Sequence, residues 1–219
     1  MFGRIAERYN LMNHLMTLWQ DVKWRRFVVA KAALRPGDYL LDLATGTGDI
    51  AFEALNDSVV AVGADFALPM MQVGQTASRG GEVGWVGADA LQLPFSDAAF
   101  DAVTHGYLLR NVIDIPRALA EQYRVLKPGG RVVVLDTTPP KRNLLYPFIM
   151  LHLRYGIPLL GRLVSGNADA YNYLPESTQA FKTPDELAAL LLDAGFAEVR
   201  YRLFMFGTMA VHWAVKPLA

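Results

Sequence analysis

The sequence predicts a doubly wound, Rossmann-like α/β fold, and three observations carry the prediction. Short, almost wholly apolar runs recur between residues 39 and 136 and alternate with helical stretches. The first run ends in a glycine-rich turn, Ala44-Thr45-Gly46-Thr47-Gly48. The chain has 219 residues, 53% of them hydrophobic and 19% charged. That length suits a single packed domain, 1–219, that buries roughly 70% of its unfolded surface. Strands buried on both faces read as continuous apolar runs because helices cover the sheet above and below.

The first third opens with helical periodicity. Ile5, Tyr9, Met12, Leu15, Met16 and Trp19 recur at three- and four-residue spacings. A second set, Trp24, Phe27, Val28 and Leu34, is expected to end at Pro36-Gly37. Arg4, Arg8, Lys23, Arg25, Arg26 and Lys31 outnumber Glu7 and Asp21 here. Residues 1–35 are therefore expected to be either two amphipathic helices with solvated basic faces or a helical lid over a site below. Five strands follow: Tyr39–Leu43, Val59–Asp65, Val83–Val86, Ala102–His105 and Arg131–Asp136, the last launched from a Lys127-Pro128-Gly129-Gly130 turn. Pro116–Leu126 reads as a helix between the fourth and fifth. Beyond Asp136 the alternation stops, and residues 139–182 form an insertion with prolines inside an apolar run. Thr183-Pro184-Asp185-Glu186 supplies an N-cap, a proline at the first helical position and a capping-box glutamate. That helix stops at Gly195. Two last strands, around Val199–Leu203 and Ala210–Val215, are close enough to pair as an antiparallel hairpin on a mostly parallel sheet.

Composition excludes several functions. Lys and Arg number 21, as do Asp and Glu, so no chain-wide field for nucleic acid exists. Cysteine is absent, which removes disulfides, thiolate metal sites and Cys nucleophiles and is compatible with a cytoplasmic location. No apolar stretch reaches membrane-spanning length and the N-terminus has no signal-peptide core. The four histidines, His14, His105, His152 and His212, show no i, i+4 pair, so no metal is expected. No Gly-x-Ser-x-Gly elbow or P-loop occurs.

The glycine turn is the most specific local signal. Gly46-x-Gly48-x-x-Ala51 matches the dinucleotide fingerprint, which makes a nicotinamide or flavin cofactor the first rival. The acids argue otherwise. Asp42 ends the strand beneath the turn and Asp49 opens the helix where a pyrophosphate would lie, so a doubly negative ligand would be repelled. S-adenosylmethionine carries a sulfonium and an ammonium and no phosphate. Asp65, at the end of the second strand, is placed to accept hydrogen bonds from ribose hydroxyls. Asp89-Ala90 follows the third strand and could meet the adenine amino group, with Met70 or Leu91 on the ring. Three carboxylates at three successive strand ends lie along the rim where ligands bind in this architecture.

With these residues in place the chain resembles class I methyltransferases, and more narrowly the ubiquinone/menaquinone biosynthesis C-methyltransferases of UbiE/MenG type. The resemblance spans the chain. It rests on Phe2-x-x-Ile5-Ala6-x-Arg8-Tyr9-Asn10-x-x-Asn13, Trp24-Arg25, Leu41-Asp42-Leu43-Ala44-Thr45-Gly46-Thr47-Gly48-Asp49 and Asp65-Phe66. It continues through Leu93-Pro94-Phe95, Phe100-Asp101, Leu109-Arg110-Asn111-Val112, Arg124-Val125-Leu126-Lys127-Pro128-Gly129-Gly130 and Ala170-Tyr171-x-Tyr173-Leu174-Pro175-x-Ser177. The departures are Asn10 for an acid, Trp19 and Leu108 for glycines, Tyr107 for Phe, and Asp136-Thr137-Thr138 for Glu-Phe-Ser. Met1 also stands almost on the first motif, so the short leading segment of relatives is expected to be missing.

The resemblance implies methyl transfer from S-adenosylmethionine to a ring carbon of a polyprenylated quinol, demethylmenaquinol first and the benzoquinol of the ubiquinone pathway second. Another hydrophobic phenol and a non-catalytic binding module remain as alternatives. It adds Phe66 and Gly106 to a cofactor set of Asp42, Ala44, Thr45, Gly46, Thr47, Gly48, Asp65, Met70, Asp89, Ala90 and His105. Tyr9, Asn13, Tyr107, Arg110, Asn111, Tyr171 and Tyr173 would bind the acceptor. Arg110 would hold an oxyanion, with capping of a loop or pairing with Asp114 as the plainer expectation. Tyr9 and Asn111 would orient the ring, and His105 is an alternative base to a relayed water. A homodimer, and a cytoplasmic protein that touches the inner face of the membrane through its basic, apolar insertion, are also expected.

Overall fold

The structure is a computed structural model that describes residues 14–17, 19–140, 142, 144–156 and 178–218, with Leu153 described by its backbone alone. Seven strands form one sheet in the order β3-β2-β1-β4-β5-β7-β6. They are β1 (Tyr39–Leu43), β2 (Val60–Asp65), β3 (Gly84–Gly87), β4 (Phe100–Gly106), β5 (Leu126–Thr137), β6 (Ala197–Phe204) and β7 (Met209–Val215). The first five are parallel; β7 runs antiparallel to β5 and β6 antiparallel to β7. The expected class, including the terminal hairpin, is the observed one. The strand order reverses at β1, whose neighbours are β2 and β4, so the crevice of the fold opens there.

Side chains alternate between two cores because successive residues of a strand point to opposite faces. Leu41 and Leu43 of β1, Val103 of β4 and Val132 and Val134 of β5 pack with Leu119, Leu187 and Leu191 of α4 (Ile115–Val125) and α6 (Pro184–Asp193). Leu40, Ala102, Val133 and Leu135 pack on the other face with Trp24 and Val28 of α1 (Gln20–Ala32) and with Ala54 of α2 (Asp49–Ala54). α3 (Leu68–Gln75) follows β2, and α5 (Tyr146–Leu151) follows β5.

The predicted start signal is observed: Thr183 closes a full capping box with Glu186 ahead of α6. Ahead of α4 stands a cap not expected from the sequence, where the Asp114 side chain accepts the Arg117 N–H at 2.9 Å. Two expectations need correction. α1 ends at Ala33, which turns left-handed (φ 51°), before Pro36-Gly37 is reached. One face of the helix belongs to the core: Trp24, Val28, Val29 and Ala32 are buried in the layer over β4, β5 and β7. Second, Lys127-Pro128-Gly129-Gly130 does not precede β5 but lies inside it. Its register against β4 slips between Phe100 and Ala102, while Gly129 and Gly130 exchange backbone hydrogen bonds with Lys216.

Candidate active site

The site is built at the C-terminal ends of β1, β2 and β4. After Leu43 the chain reverses through Ala44 (φ 49°), Gly46 (φ 57°) and Gly48 (φ 88°), all left-handed. At Gly48 a Cβ would come within 2.6 Å of the Trp85 ring, so glycine is required by both backbone and space. Asp65 ties this turn to its own strand end. One carboxylate oxygen accepts the Gly46 N–H and the other the Ala67 N–H, each at 2.7 Å. Asp42 lies beneath, 1% exposed, taking the hydroxyls of Thr45 at 2.7 Å and Thr104 at 2.9 Å. Burial pushes its carboxyl up to about 7, the two hydroxyls and the Ala51 N–H pull against that shift, and the nearby Asp65 adds to it. Asp49 is likewise raised by burial, against the pull of Arg25.

Two cavities share Ala44, Gly46, Gly106 and Tyr107 in their walls. The larger, about 420 Å³, is lined by the expected Ala44, Gly46, Asp65, Phe66, Met70, Asp89, Ala90 and Gly106, and also by Tyr107, Arg110 and Asn111. The smaller, about 60 Å³, takes in Asp42, Thr45 and Thr47 together with Asp21, Arg25 and Asp49. Asp21 and Arg25 were not foreseen there. Arg25 pairs with Asp21 one helical turn away and reaches Asp49 at 3.2 Å, while His14 meets Asp21 at 2.8 Å. The i, i+4 spacing of Asp21 and Arg25 on a basic helix was the available signal.

Not every expected residue arrives. Gly48 supports the turn against Trp85 and lines neither cavity. His105 is fully buried, lines neither cavity, and faces the α4 side of the sheet as Val103 does, in the neighbourhood of Gln122. Burial pushes its ring down to about 3, against a pull from Gln122, so it stays neutral and sealed off from ligand. It is not the alternative base. Tyr9, Asn13, Tyr171 and Tyr173 lie outside the described residues.

The other wall of the larger cavity is organised around Tyr107, which leaves β4 left-handed at φ 62°. Its N–H donates to Leu135 O at 2.8 Å, and the Asn111 side-chain amide donates to its carbonyl at 2.6 Å. That latch fixes the turn carrying Arg110. The Arg110 guanidinium sits 4.9 Å from the Tyr107 ring centroid and donates to the Thr137 hydroxyl at 3.4 Å. Its ionic partner is Asp136, at 3.8 Å, not Asp114, which is occupied as the cap of α4.

A cleft with acids at three strand ends and a cation reserved for its far wall fits an adenosyl sulfonium and disfavours a pyrophosphate. Comparison with known proteins agrees. The ubiE/COQ5 methyltransferase family model matches residues 1–216. This chain belongs to that family. A ubiquinone/menaquinone biosynthesis C-methyltransferase UbiE of Desulfotalea psychrophila is 51% identical over 218 residues, covering 99% of this chain and 89% of that protein. A demethylmenaquinone methyltransferase of Thermus thermophilus is 46% identical over 221 residues, covering 99% and 100%. Among solved structures, a SAM-dependent methyltransferase from Thermotoga maritima superposes with a TM-score of 0.66 at 23% identity over 98% of this chain and 97% of that one. This ubiE/COQ5 family member is thus an S-adenosylmethionine-dependent methyltransferase, which sets aside the nicotinamide rival and the non-catalytic alternative.

Proposed function

We propose that this methyltransferase alkylates a ring carbon of a polyprenylated quinol, with demethylmenaquinol as the acceptor ahead of the ubiquinone-pathway benzoquinol. The names of the two similar proteins support the acceptor class. The observation that carries the chemistry is Arg110, a cation whose side chain is 6% exposed, in the wall of the cofactor cleft.

When bound, S-adenosylmethionine supplies an electrophilic methyl. A quinone ring carbon is electron-poor and cannot displace a thioether from sulfur. In a quinol, loss of a hydroxyl proton places charge on oxygen and on the adjacent ring carbon, which becomes the nucleophile. That carbon gains the methyl as the carbon–sulfur bond breaks, then loses its ring proton and recovers aromaticity. A phenolic hydroxyl has a pKa of about 10, so the enzyme must stabilise the anion. The Arg110 guanidinium can hold the oxyanion. Since a guanidinium has donors and no acceptor for the proton, and His105 is sealed in the core, the proton leaves through water to solvent. Asn111 acts by latching Tyr107.

The polyprenyl tail would arrive from a membrane. No helix among the described residues is long and apolar enough to cross one. Leu144 just before α5, with Phe148, Leu151 and Tyr155 in α5 and the π turn after it (His152–Gly156), is instead exposed, and residues 139–156 contain Lys141, Arg142 and Arg154 but no acid. Phe66, Ile113 and Phe206 are exposed at the same end of the sheet. This surface suits an anionic bilayer.

The test is methyl transfer to demethylated naphthoquinone with and without dithionite, in wild type and Arg110→Gln. Turnover is expected only on the reduced ring, and at least about a hundredfold less with Gln, the scale of losing an oxyanion donor. Full turnover on the oxidised ring, or an unimpaired variant, would overturn the reading.

A further inference from the structure

We propose that Asp136 is the positioning residue of the acceptor site: from the end of β5 its carboxylate holds the Arg110 guanidinium at the cleft wall in the orientation that meets the acceptor's oxygen. The proposal rests on the reading that Arg110 faces an ionised ring hydroxyl.

The sheet brings the pair together. β4 and β5 are neighbours, with His105 opposite Val134 and Gly106 opposite Leu135, so the residues just past those pairs emerge side by side. Asp136 is 1% exposed and lines neither cavity; it acts through its neighbours. One oxygen accepts the Thr137 N–H at 2.8 Å, and the other the backbone N–H of Arg110 at 3.4 Å. The first also stands 3.8 Å from Arg110 Nε, a buried nitrogen with no hydrogen-bond partner among the described residues. The attraction is therefore ionic and leaves the guanidinium unsaturated. Of its five N–H donors, one goes to Thr137 and the Nε–H is buried beside Asp136, and the other three have no partner among the described residues. An uncharged residue at 136 would leave Arg110 as an uncompensated buried cation, free to swing toward solvent.

Titration supports the same geometry. Burial lifts the Asp136 carboxyl to about 6, opposed by the Arg110 charge and by the backbone N–H groups of Thr137, Arg110 and Leu109. The β7 residue paired with it is Ala210, which carries no charge. Asp136 is thus ionised at pH 8 and loses its hold on Arg110 as the pH falls through about 6.

The experiment compares Asp136→Asn and Asp136→Glu with wild type in methyl transfer to a reduced naphthoquinol, alongside calorimetric cofactor affinity and melting temperature. At saturating cofactor, Asn should leave cofactor affinity unchanged, lower kcat about tenfold or more, and remove the inflection in kcat near pH 6, leaving only the dependence set by the quinol hydroxyl; Glu should restore most of kcat. Unchanged kcat in Asp136→Asn, a retained inflection near pH 6, or a parallel loss of cofactor affinity would overturn the proposal. Absence of turnover by wild type on any quinol would instead overturn the acceptor reading. Crystal structures of Asp136→Asn would then decide: Arg110 displaced from Thr137 supports the positioning role, and Arg110 unmoved refutes it.

Discussion

Cofactor binding should release a proton, and Asp42 is its source. In the folded protein the Asp42 carboxyl stands at about 7 instead of 3.8, because burial outweighs its two threonine hydroxyls. A carboxyl raised in this way favours folding at low pH, where it is protonated in both states, and that contribution is lost as the pH rises through about 7. A cationic cofactor reverses the balance. A positive charge about 5 Å away, at an effective dielectric of about 20, is worth ~3 kcal/mol, or about two pKa units. The bound-state value then falls to about 5. At pH 7 about half a proton leaves on binding, near pH 6 about 0.8, and above pH 8 almost none. Apparent affinity should accordingly weaken by about fivefold per pH unit between about pH 7 and 5. Calorimetric titration with S-adenosylmethionine in buffers of differing ionisation enthalpy measures the release directly. Asp49, also raised by burial, contributes in the same direction, so Asp42→Asn separates the two. The asparagine keeps partners for Thr45 and Thr104 and should remove most of the pH 6 release. No release near pH 6, or an undiminished release in Asp42→Asn, would refute the reasoning.

Asp65→Asn should weaken cofactor binding by roughly 1.5–3 kcal/mol for each charged hydrogen bond lost to the ribose. It should also lower the melting temperature, because the Gly46 and Ala67 N–H groups lose an ionised acceptor; wild-type affinity by calorimetry would dismiss this strand-end acid. Phe148→Ser with Leu151→Ser should reduce co-sedimentation with anionic vesicles by tenfold or more, since burying each side chain in lipid is worth about 1.5–3 kcal/mol. Equal sedimentation of variant and wild type, or none by wild type, would exclude that surface from membrane contact.

The inner strands β1, β4, β5 and β7 were legible because they are buried on both faces, so their apolar runs need no phase to be recognised. The cofactor rim was legible for a related reason: an acid or glycine that ends such a run must lie at the crevice. What the sequence withheld was facing and partnership. Thr104 and His105 both end β4, yet only Thr104 turns toward Asp42; His105 points into the α4 side of the core, and no local pattern distinguishes them. α1 carries charges on its exposed side whether it caps a cleft or covers a sheet, and its burial against β4 and β5 is a tertiary fact. Lys127–Gly130 has turn composition, but pairing with Lys216 keeps it inside β5. Asp136 stood out only as a departure from Glu, and its partner Arg110 lies 26 positions away.

These partnerships give the site two poles of opposite design. Around the glycine turn, Asp42 and Asp49 are acids that burial biases toward neutrality and that a cation would ionise. At the far wall, the Arg110 guanidinium has as its counter-charge Asp136, 3.8 Å away, close enough to restrain it and too far to saturate it. A ligand bringing positive charge to the first pole and negative charge to the second relieves both desolvation costs at once, whereas either ligand alone relieves one. Cofactor and ionised acceptor should therefore bind with positive coupling. On the proposed mechanism, the neutral quinol gains from the second pole as its hydroxyl gives up its proton and the oxygen becomes negative. That gain is realised in the transition state more than in the ground state, which is the condition for it to raise kcat and not merely lower KM.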